Sequence, residues 1–460
     1  MRNWLSSFIY LGALACITVS ALGFILLRFV PPSVNVAWLL PLTALLIGLI
    51  TLIRRYNVEH ALVVSLAIFA MCWGASQYVW PRTFSMGPSS GDSDSSPLVA
   101  TTVYIHPEYR YGAFSQKRQL FAPRGTKISV FRNALKGVRW LAFSPAGQLF
   151  ASLPHSGEVV KLVDDDDDGY AESLHSVATG LDKPHGLAFD DQDLVVAGEM
   201  SLYRLVNAGR KAVPEVNVLS RDLPGPGGHW TRTVVVDDKR RIFVSAGSSC
   251  NTCEEKDRRR ATVMQFSAQG GKGKLFATGL RNSVGLAIHP RSHELWGSDN
   301  ARDMLGDDLP PDEINLIREG LNYGWPYCYG ENIPDPEFNQ PSRCLNTQKP
   351  KIEVQAHSAP LGIAFGKGLD AVPSIESSML IAYHGSWNRS IPTGYKIVTA
   401  PFSDHQPQGN VNDLITGWLI GSKAWGRPVA LAVGPDGALY ISDDRADAIY
   451  RVVFTTRQEE

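Results

Sequence analysis

The chain lacks an excess of charge of either sign. Its 460 residues include 44 Lys and Arg against 45 Asp and Glu, so the formal net charge is −1. The isoelectric point is near 6.8. Nucleic-acid-binding proteins usually carry a strongly basic surface, and this composition gives no sign of one. We therefore expect no nucleic-acid partner.

Cysteine is also scarce, and four of the six residues fall in the polar part of the chain as two close pairs. They are Cys250, Cys253, Cys328 and Cys344. This arrangement favours two disulfides and an oxidising compartment, with a zinc site or free thiols as the alternatives. The Cys250–Cys253 spacing is not a haem-attachment motif, because Glu254 stands where a histidine would be required.

The first 80 residues differ from the rest in having very little charge. The uncharged runs are Trp4–Leu27, Phe29–Ile53 and Ala61–Trp80. Each is long enough to cross the roughly 30 Å hydrocarbon layer of a bilayer as a helix. Residues 1–80 are therefore predicted to be a membrane region with three transmembrane α-helices, and a single buried helical domain is the alternative.

The orientation of this region follows from its few basic residues. Arg2 precedes the first span and Arg54-Arg55 lie between the second and third, whereas the other loop has only Arg28. Basic loops stay in the cytoplasm. We therefore expect a multi-pass protein of the inner (cytoplasmic) membrane, with the following domain in the periplasm or outside.

Residues 81–100, which begin PRTFSMGPSSGDSDSS, form a predicted flexible linker because they are rich in Ser, Gly and Pro. Residues 101–460 are predicted to be all-β. Long amphipathic helical periods are absent there, and short alternating strands recur between Gly, Pro, Asn and Asp turns.

An internal repeat runs through this domain, with each copy formed by a short apolar strand, a turn and a second strand. The copies are Trp140–Ser152, His185–Gly198, Thr233–Gly247, Val284–Asn300, Leu361–Ser386 and Val429–Asp444. Repeated strand pairs of this kind are typical of a β-propeller. Six copies predict a six-bladed β-propeller, and a β-sandwich is the alternative.

Cationic side chains stand just before the first strand of each repeat. They are Arg139, His185, His229 with Arg232, Arg281, His357 and Arg427, and Asn282 follows Arg281. The loops that enter the inner strands of a propeller crowd around one mouth of the channel. A cationic ring at that mouth suits a flat anionic ligand lying across the axis.

The acidic stretch Asp164–Gly169 contains the D-x-D-x-D-G spacing of a calcium loop. Position 12 of such a loop would be His175 rather than Glu, and no flanking helix is evident. A solvated acidic turn and a calcium site remain alternatives.

Five pieces of the sequence together carry a resemblance to a known family. They are GLRNSVGLAIHP, DMLGDDLPPDEIN, NYGWPYC, HGSWNR and PDGALYISDD, in that order along the chain. They resemble the pyrroloquinoline quinone (PQQ)-dependent sugar dehydrogenases, and most closely the sorbosone and aldose sugar dehydrogenase branch, over roughly residues 120–455. The resemblance implies a six-bladed propeller that holds PQQ and calcium at the top of its channel.

The resemblance also implies roles for individual residues. His229 corresponds to the general base that acts on the sugar hydroxyl while a hydride passes to PQQ. The expected PQQ-binding residues are Arg281, Asn282, Arg427, Asn300, Arg139, His384, Arg389 and His357. Calcium is expected at the backbone carbonyls of Ala301 and Arg302, where some relatives have Gly-Pro, and a second calcium at Asp312 and Glu313.

The sequence therefore predicts a membrane-anchored, PQQ-dependent oxidoreductase for an aldose or a related sugar such as sorbosone. A membrane quinone or a periplasmic carrier would accept the electrons. The alternatives are a calcium-dependent lactonase-type propeller hydrolase and a non-catalytic propeller that binds ligands outside the cytoplasm.

Overall fold

The computed structural model describes residues 97–455. The three predicted membrane spans and residues 81–96 of the predicted linker lie outside this range. Between residues 97 and 455, no helix is both long enough and apolar enough to span a bilayer.

The predicted all-β domain is built from β-strands, with a few short helical turns between them. The first fifteen strands are β1 Val99–Tyr104, β2 Gln119–Ala122, β3 Lys127–Arg132, β4 Leu141–Phe143, β5 Leu149–Leu153, β6 Glu158–Val163, β7 Ser173–Ala178, β8 Gly186–Asp190, β9 Asp193–Ala197, β10 Leu202–Val206, β11 Glu215–Ser220, β12 Val234–Val236, β13 Ile242–Ala246, β14 Thr262–Ser267 and β15 Gly270–Thr278. The remaining strands are β16 Leu286–Ile288, β17 Leu295–Asp299, β18 Asp312–Ile317, β19 Cys328–Tyr329, β20 Ile333–Pro334, β21 Ile352–Val354, β22 Pro360–Phe365, β23 Ser378–Tyr383, β24 Lys396–Ser403, β25 Gln406–Pro407, β26 Asn412–Ile415, β27 Leu419–Ile420, β28 Lys423–Ala424, β29 Pro428–Val433, β30 Leu439–Asp443 and β31 Ala448–Val453. The helical turns are Pro107–Tyr109, Gly112–Phe114, Pro341–Cys344 and α1 Pro373–Glu376.

The strands form six blades. The first four are β4-β5-β6-β7, β8-β9-β10-β11, β12-β13-β14-β15 and β16-β17-β18-β21, each counted from the innermost strand outward. In the fifth blade β22, β23 and β24 are followed by β26, and the sixth contains β29-β30-β31-β3. The innermost strand of each blade contacts that of the next blade, and β29 contacts β4, so the ring closes. The predicted six-bladed β-propeller is confirmed.

The six sequence repeats coincide with the first two strands of the six blades. The second strands β5, β13, β17 and β30 are buried along their whole length, because sheets from neighbouring blades cover both of their faces. The outermost strands β7 and β11 have several exposed residues. Burial therefore concentrates apolar residues in the two inner strands, which is why the repeat is visible in the sequence.

The ring is closed by a strand from the beginning of the domain. β3 pairs antiparallel with β31, with Lys127 opposite Val453 and Ile128 opposite Val452, and so becomes the outer strand of the sixth blade. β1 and β2 extend this sheet further outward. The pairing joins the two ends of the propeller sequence and holds the circle shut.

Buried serine hydroxyls on the second strands donate hydrogen bonds to backbone carbonyls where the first strand of the next blade begins. The pairs are Ser152 Oγ with the carbonyl of His185 (2.7 Å), Ser298 Oγ with that of Leu361 (2.8 Å) and Ser442 Oγ with that of Arg139 (2.5 Å). A buried carbonyl without a partner would cost roughly 1–3 kcal/mol, so each bond supports the junction between two blades. These junctions lie where the inner strands begin.

Both predicted disulfides are present and join the cysteines within each local pair. Cys250 is bonded to Cys253, and Cys328 is bonded to Cys344. The disulfide interpretation is therefore confirmed over the zinc and free-thiol alternatives for these four residues.

Candidate active site

The candidate site lies at the mouth of the propeller, where the innermost strand of each blade begins and the second strand ends. These two points are at the same edge because the two strands are antiparallel. The residues that follow the second strands include Ser248, Asn300, His384 and Asp444. They join the predicted residues that precede the first strands in one set of hydrogen bonds.

The imidazole of His229 is held by the end of the third blade. Its Nδ1 lies 3.0 Å from both the carbonyl oxygen and the hydroxyl of Ser248. That hydroxyl itself donates to the carbonyl of Cys250 (2.6 Å), so Nδ1–H is the donor to the Ser248 carbonyl. The Nε2 atom forms no hydrogen bond with any residue in the described range. This tautomer therefore presents Nε2 as a proton acceptor.

The environment keeps this imidazole neutral. Burial first, and then the positive charge of Arg281, lower the pKa of His229 to about 3. Arg260 and Arg232 lower it further, and Arg232 donates to the carbonyl oxygen of His229 (3.0 Å). A general base that works at neutral pH is expected to have a pKa near neutrality. The difference arises because burial and the neighbouring arginines both disfavour the charged form of the ring.

The side chain of Asn282 lies against His229, with Gly247 between them. A Cβ at Gly247 would come within 2.5 Å of Asn282 Oδ1 and 2.7 Å of His229 Cβ, so only glycine fits there. Asn282 Oδ1 is buried and has no hydrogen-bond partner in the described structure. An acceptor in that state is costly unless a ligand binds it, so it marks a contact point beside the base.

The guanidinium of Arg281, a predicted PQQ contact, is engaged by the protein. It donates to the backbone oxygens of Asn251 (2.9 Å), Asn300 (3.0 Å) and Ala301 (2.8 Å). It also donates to the Asn251 side chain (2.9 Å) and to Asp303 (3.2 Å), and is nearly buried. Arg281 therefore joins the Cys250–Cys253 loop to the loop after β17.

This arrangement bears on the predicted calcium ligands. The Ala301 carbonyl accepts from Arg281, a cation, and so does the carbonyl of Asn300. Arg302 lies with its guanidinium bonded to both carboxylate oxygens of Asp335 (2.8 and 2.9 Å). A calcium ion at the Ala301 oxygen would face a positive charge at hydrogen-bond distance. As placed, these residues do not fit calcium.

Asp312 and Glu313, the predicted second calcium site, are buried with protein donors on each carboxylate. Asp312 accepts from the backbone N–H groups of Ala301 (2.9 Å) and Ala359 (3.0 Å). Glu313 accepts from Gly330 (2.8 Å) and from the Asn315 side chain. Burial raises the pKa of Asp312 to about 7 and that of Glu313 to about 8. In this arrangement the two carboxylates connect β18 to the loops that contain Ala301, Ala359 and Gly330.

A third carboxylate of this kind, Asp299, was not expected from the sequence. It pairs across β17 and β18 with Glu313 and accepts from the backbone N–H groups of Arg281 (2.9 Å) and Asn282 (2.7 Å). Burial raises its pKa to about 7. Asp299 therefore sets the backbone positions of the two residues that begin the fourth blade.

On the opposite side of the mouth, Asp444 binds two of the predicted cofactor residues. Its carboxylate accepts from Arg139 Nη1 (2.6 Å) and His384 Nε2 (2.9 Å). Burial lowers the pKa of His384 to about 4, so the ring is a neutral donor to Asp444. The Nε atom of Arg139 is buried and has no described partner, and its guanidinium lies 5.8 Å from the Trp230 ring.

Arg427 differs from these cations in having no carboxylate bonded to it among the described residues. It donates to the backbone oxygens of His384 (3.1 Å) and Gly385 (3.0 Å), and lies over the ring of Tyr395. Burial lowers its pKa. Its positive charge is therefore the best placed at the mouth to pair with an anionic ligand.

His357 and Arg389 hold the loop between β17 and β18. His357 Nε2 lies 2.9 Å from the carbonyl of Gly306 and 3.0 Å from that of Leu309. Arg389 donates to the Asp307 carbonyl and pairs with the Asp308 carboxylate (3.1 Å). In this structure, both predicted cofactor residues bind this loop.

Several residues of the site were missed by sequence reasoning. They are Ser248, Asn251, Arg260, Asp299, Asp303 and Asp444. Asp303 and Asp444 lie within motifs that carried the family resemblance, and that was the available signal. Asn251 lies between two disulfide-bonded cysteines, which is the only local indication that it is fixed in place.

The acidic loop after β6 lies away from the residues described above. Asp164, Asp166, Asp168 and Glu172 place one carboxylate oxygen each within 4.8 Å of one another. Asp164 accepts from the backbone N–H groups of Asp168 and Gly169, as a tight turn requires. The choice between a calcium loop and an acidic turn therefore stays open.

The mouth has features that suit a flat ligand with several carboxylates, such as PQQ. Polar atoms without described partners, Asn282 Oδ1 and Arg139 Nε, occur on different blades. Arg427 supplies a positive charge that forms hydrogen bonds only with backbone oxygens among the described residues. The residues present therefore fit PQQ.

Comparisons with known proteins place the chain in a family. Residues 121–455 match the TrAA12-like family. An uncharacterized protein of Borreliella burgdorferi is 30% identical over 373 residues, covering 77% of this chain and 96% of that protein. The pyrroloquinoline quinone-dependent pyranose dehydrogenase of Coprinopsis cinerea is 26% identical over 292 residues, covering 48% of this chain and 39% of that protein.

Solved structures share the fold. The holo form of the pyranose dehydrogenase PQQ domain from Coprinopsis cinerea has a TM-score of 0.62 and 20% identity, covering 73% of this chain and 97% of that chain. The Trichoderma reesei family AA12 enzyme in its calcium structure has a TM-score of 0.62 and 21% identity, covering 72% and 96%. With 335 of its residues, 121 to 455, matching the family, the chain belongs to the TrAA12-like family.

Proposed function

We propose that this protein is a PQQ-dependent oxidoreductase that oxidises an aldose or a related sugar, such as the hydrated aldehyde of a sorbosone-like compound. The observation that carries the proposal is that a neutral His229, whose Nε2 has no partner among the described residues, lies close to the unpartnered Oδ1 of Asn282. The PQQ-dependent relatives named above support the choice of cofactor.

In the proposed reaction, PQQ supplies a quinone that accepts a hydride, two electrons and one proton, from the sugar carbon. His229 Nε2 accepts the proton of the hydroxyl on that carbon, so the C–O single bond becomes a carbonyl. The Nδ1–H bond to the Ser248 carbonyl keeps the ring in the tautomer that can do this and stabilises the imidazolium that forms.

Arg427 and Arg139 are placed to pair with carboxylates of PQQ, and Arg281 is placed to hold the loops around it. A polyanion bound near His229 offsets the positive charges that depress its pKa. The pKa of the loaded base therefore rises from about 3 toward the operating pH, which improves its ability to accept a proton.

Calcium is kept outside the proposed reaction, because Arg281 occupies the carbonyl oxygens where the ion was expected. A calcium titration of the apo protein tests this directly. If PQQ binds equally well with EDTA and with calcium, Arg281 is sufficient to fix the loop; a requirement for calcium means that Arg281 moves away when the ion binds.

The test of the activity is a dye-reduction assay over a panel of aldoses and related aldehyde sugars, with and without added PQQ. We expect reduction that requires both PQQ and a sugar. Absence of PQQ-dependent reduction over the whole panel would refute the proposal. Sugar hydrolysis or lactone opening without any redox change would identify the propeller as a hydrolase.

We also propose that residues 1–80 anchor the enzyme in the cytoplasmic membrane, with the propeller on the outer side and a membrane quinone or a periplasmic carrier as electron acceptor. The uncharged runs and the Arg bias of the sequence support this. Carbonate extraction and protease access to the propeller in spheroplasts test it; release by carbonate would contradict the anchor.

A further inference from the structure

An exposed tryptophan stands on the rim of the mouth. Trp387 is 69% exposed and lies in the loop that follows β23. The second strands of the blades end at the mouth, so this loop rises beside the candidate site. An indole that remains this exposed leaves a large apolar face in water, which a ligand bound at the mouth can cover.

The residue next to Trp387 is hydrogen-bonded to the candidate site. The next residue, Asn388, donates from Nδ2 to Asp303 Oδ1 (3.0 Å), and the other oxygen of Asp303 accepts from Arg281 (3.2 Å). Met304, which follows Asp303, is 65% exposed. Two exposed apolar side chains therefore rise from a single hydrogen-bonded junction between two loops.

The loop that carries Trp387 is held on both sides. Ser386 donates its backbone N–H to the carbonyl of Thr393 (2.9 Å) and accepts from the hydroxyl of Tyr395 (2.6 Å). Arg389 pairs with Asp308 in the facing loop. The backbone that carries Trp387 is therefore held in place, and little loop ordering is needed when a ligand binds, which favours a role in recognition.

From this arrangement we propose that Trp387 is the stacking platform for a second sugar ring, and that the substrate is a saccharide of at least two pyranose rings. The apolar C–H face of a pyranose matches the face of an indole. Three side chains, those of Asn388, Asp303 and Arg281, separate Trp387 from the residue next to Asn282. Because these side chains stand between Trp387 and the reacting position, we assign Trp387 to the ring that follows the one reacting at His229.

This inference rests on the proposed oxidation at His229, and it makes a distinct kinetic prediction. Replacing Trp387 with Ala raises KM for a disaccharide about tenfold, because stacking on an aromatic ring contributes a factor of that order. It leaves kcat unchanged and leaves KM for the corresponding monosaccharide within about twofold. Trp387→Phe restores most of the disaccharide affinity.

The matched control is Ile391→Ala. Ile391 lies in the same loop and is 76% exposed, but it is not joined to the Asn388–Asp303 junction. We expect no change in KM for either sugar. PQQ titration of each variant checks that the site itself is intact, since Trp387 does not belong to the groups assigned to the cofactor.

The experiment uses the full-length protein loaded with PQQ and a cellobiose–glucose and maltose–glucose comparison. A Trp387→Ala variant with an unchanged ratio of disaccharide to monosaccharide KM overturns the inference while leaving the proposed function standing. A variant that changes only the KM of the electron acceptor also overturns it and makes the rim a docking site for that partner.

A binding measurement separates failure of this inference from failure of the proposed function. If no sugar is oxidised by the wild type, saturation-transfer NMR with the same disaccharides shows whether the mouth binds them. Signal that Trp387→Ala abolishes and Ile391→Ala retains supports the platform. Absence of disaccharide binding by the wild type refutes it.

Discussion

The buried carboxylate of Asp444 gives a sharp prediction about the mouth. It accepts from Arg139 at 2.6 Å and from His384 at 2.9 Å, and its side chain is only 20% exposed. Replacing Asp444 with Asn keeps the shape but removes the charge, which leaves the cation of Arg139 nearly buried without a counterion. Breaking a buried pair in this way costs roughly 3–5 kcal/mol, and the remaining exposure of Asp444 reduces this to about 3 kcal/mol.

A matched control is available in Asp308, which pairs with Arg389 at 3.1 Å but is 88% exposed. Surface pairs of this kind contribute about 0–1 kcal/mol, so Asp308→Asn is expected to change stability little. Thermal unfolding followed by circular dichroism compares the two variants. Because a domain of about 360 residues has a large unfolding entropy, Asp444→Asn should lower Tm by roughly 4 °C, and Asp308→Asn by no more than about 1 °C.

The pH dependence supplies an independent check on the same residue. Burial opposes the charge of Asp444, but the His384 and Arg139 groups that donate to it hold its pKa well below its ordinary value. Its stabilising contribution is therefore complete above about pH 4 and is lost as the pH falls below that. Equal Tm losses for the two variants, or a gap that persists unchanged in acid, would refute this reasoning.

Three further predictions concern His229 and the loop beside it. His229→Gln should lower kcat by about 10²–10⁴-fold with little effect on PQQ affinity, measured by dye reduction and PQQ titration. The pKa of His229 is about 3 in the folded protein and about 6.5 in the unfolded chain, so protonation at this residue favours unfolding as the pH falls from about 6.5 toward 3. His229→Gln should therefore remove up to about 4 kcal/mol of the stability that is lost in acid, measured by urea titrations. An unchanged pH profile of stability would contradict the burial argument. Replacing Cys250 and Cys253 together with Ser should weaken PQQ binding roughly 10–100-fold by loosening Asn251 from Arg281, while a Cys328 and Cys344 pair of Ser substitutions serves as the control.

The fold was largely predictable because its signal is local and repeated. Each blade has the same inner strand pair, and burial on both faces makes these strands apolar. The closing strand β3 was not predictable in the same way. It pairs residues 127–132 with residues 449–453, and no local sequence pattern predicts a partner strand more than 300 positions away.

The candidate site was predictable in location and less so in its chemistry. Sequence reasoning brought Arg139, His229, Arg281 and Arg427 to one mouth because each precedes an inner strand. It could not show which loop would contact each guanidinium. Arg281 is bonded to Asn251 and Asp303, from loops that only the folded ring brings together, and these bonds occupy the carbonyls expected to bind calcium.

The His229 environment shows the same limit in energetic terms. A lone histidine before a strand gives no measure of its burial, and the arginines that lower its pKa are Arg281, Arg260 and Arg232. Two of these lie about 30 and 50 positions away along the sequence. The tautomer was equally invisible, since it depends on the Ser248 carbonyl and on the bond from Ser248 to Cys250.

The most direct test of the account is a single-turnover experiment on the purified full-length protein. Apo protein is loaded with PQQ, its absorbance is recorded, and sugar is added anaerobically. We predict that wild type and His229→Gln both bind PQQ, and that sugar reduces the bound quinone rapidly in the wild type and at least 100-fold more slowly in the variant. Failure of the wild type to bind PQQ, or reduction by His229→Gln at the wild-type rate, would contradict the central claim.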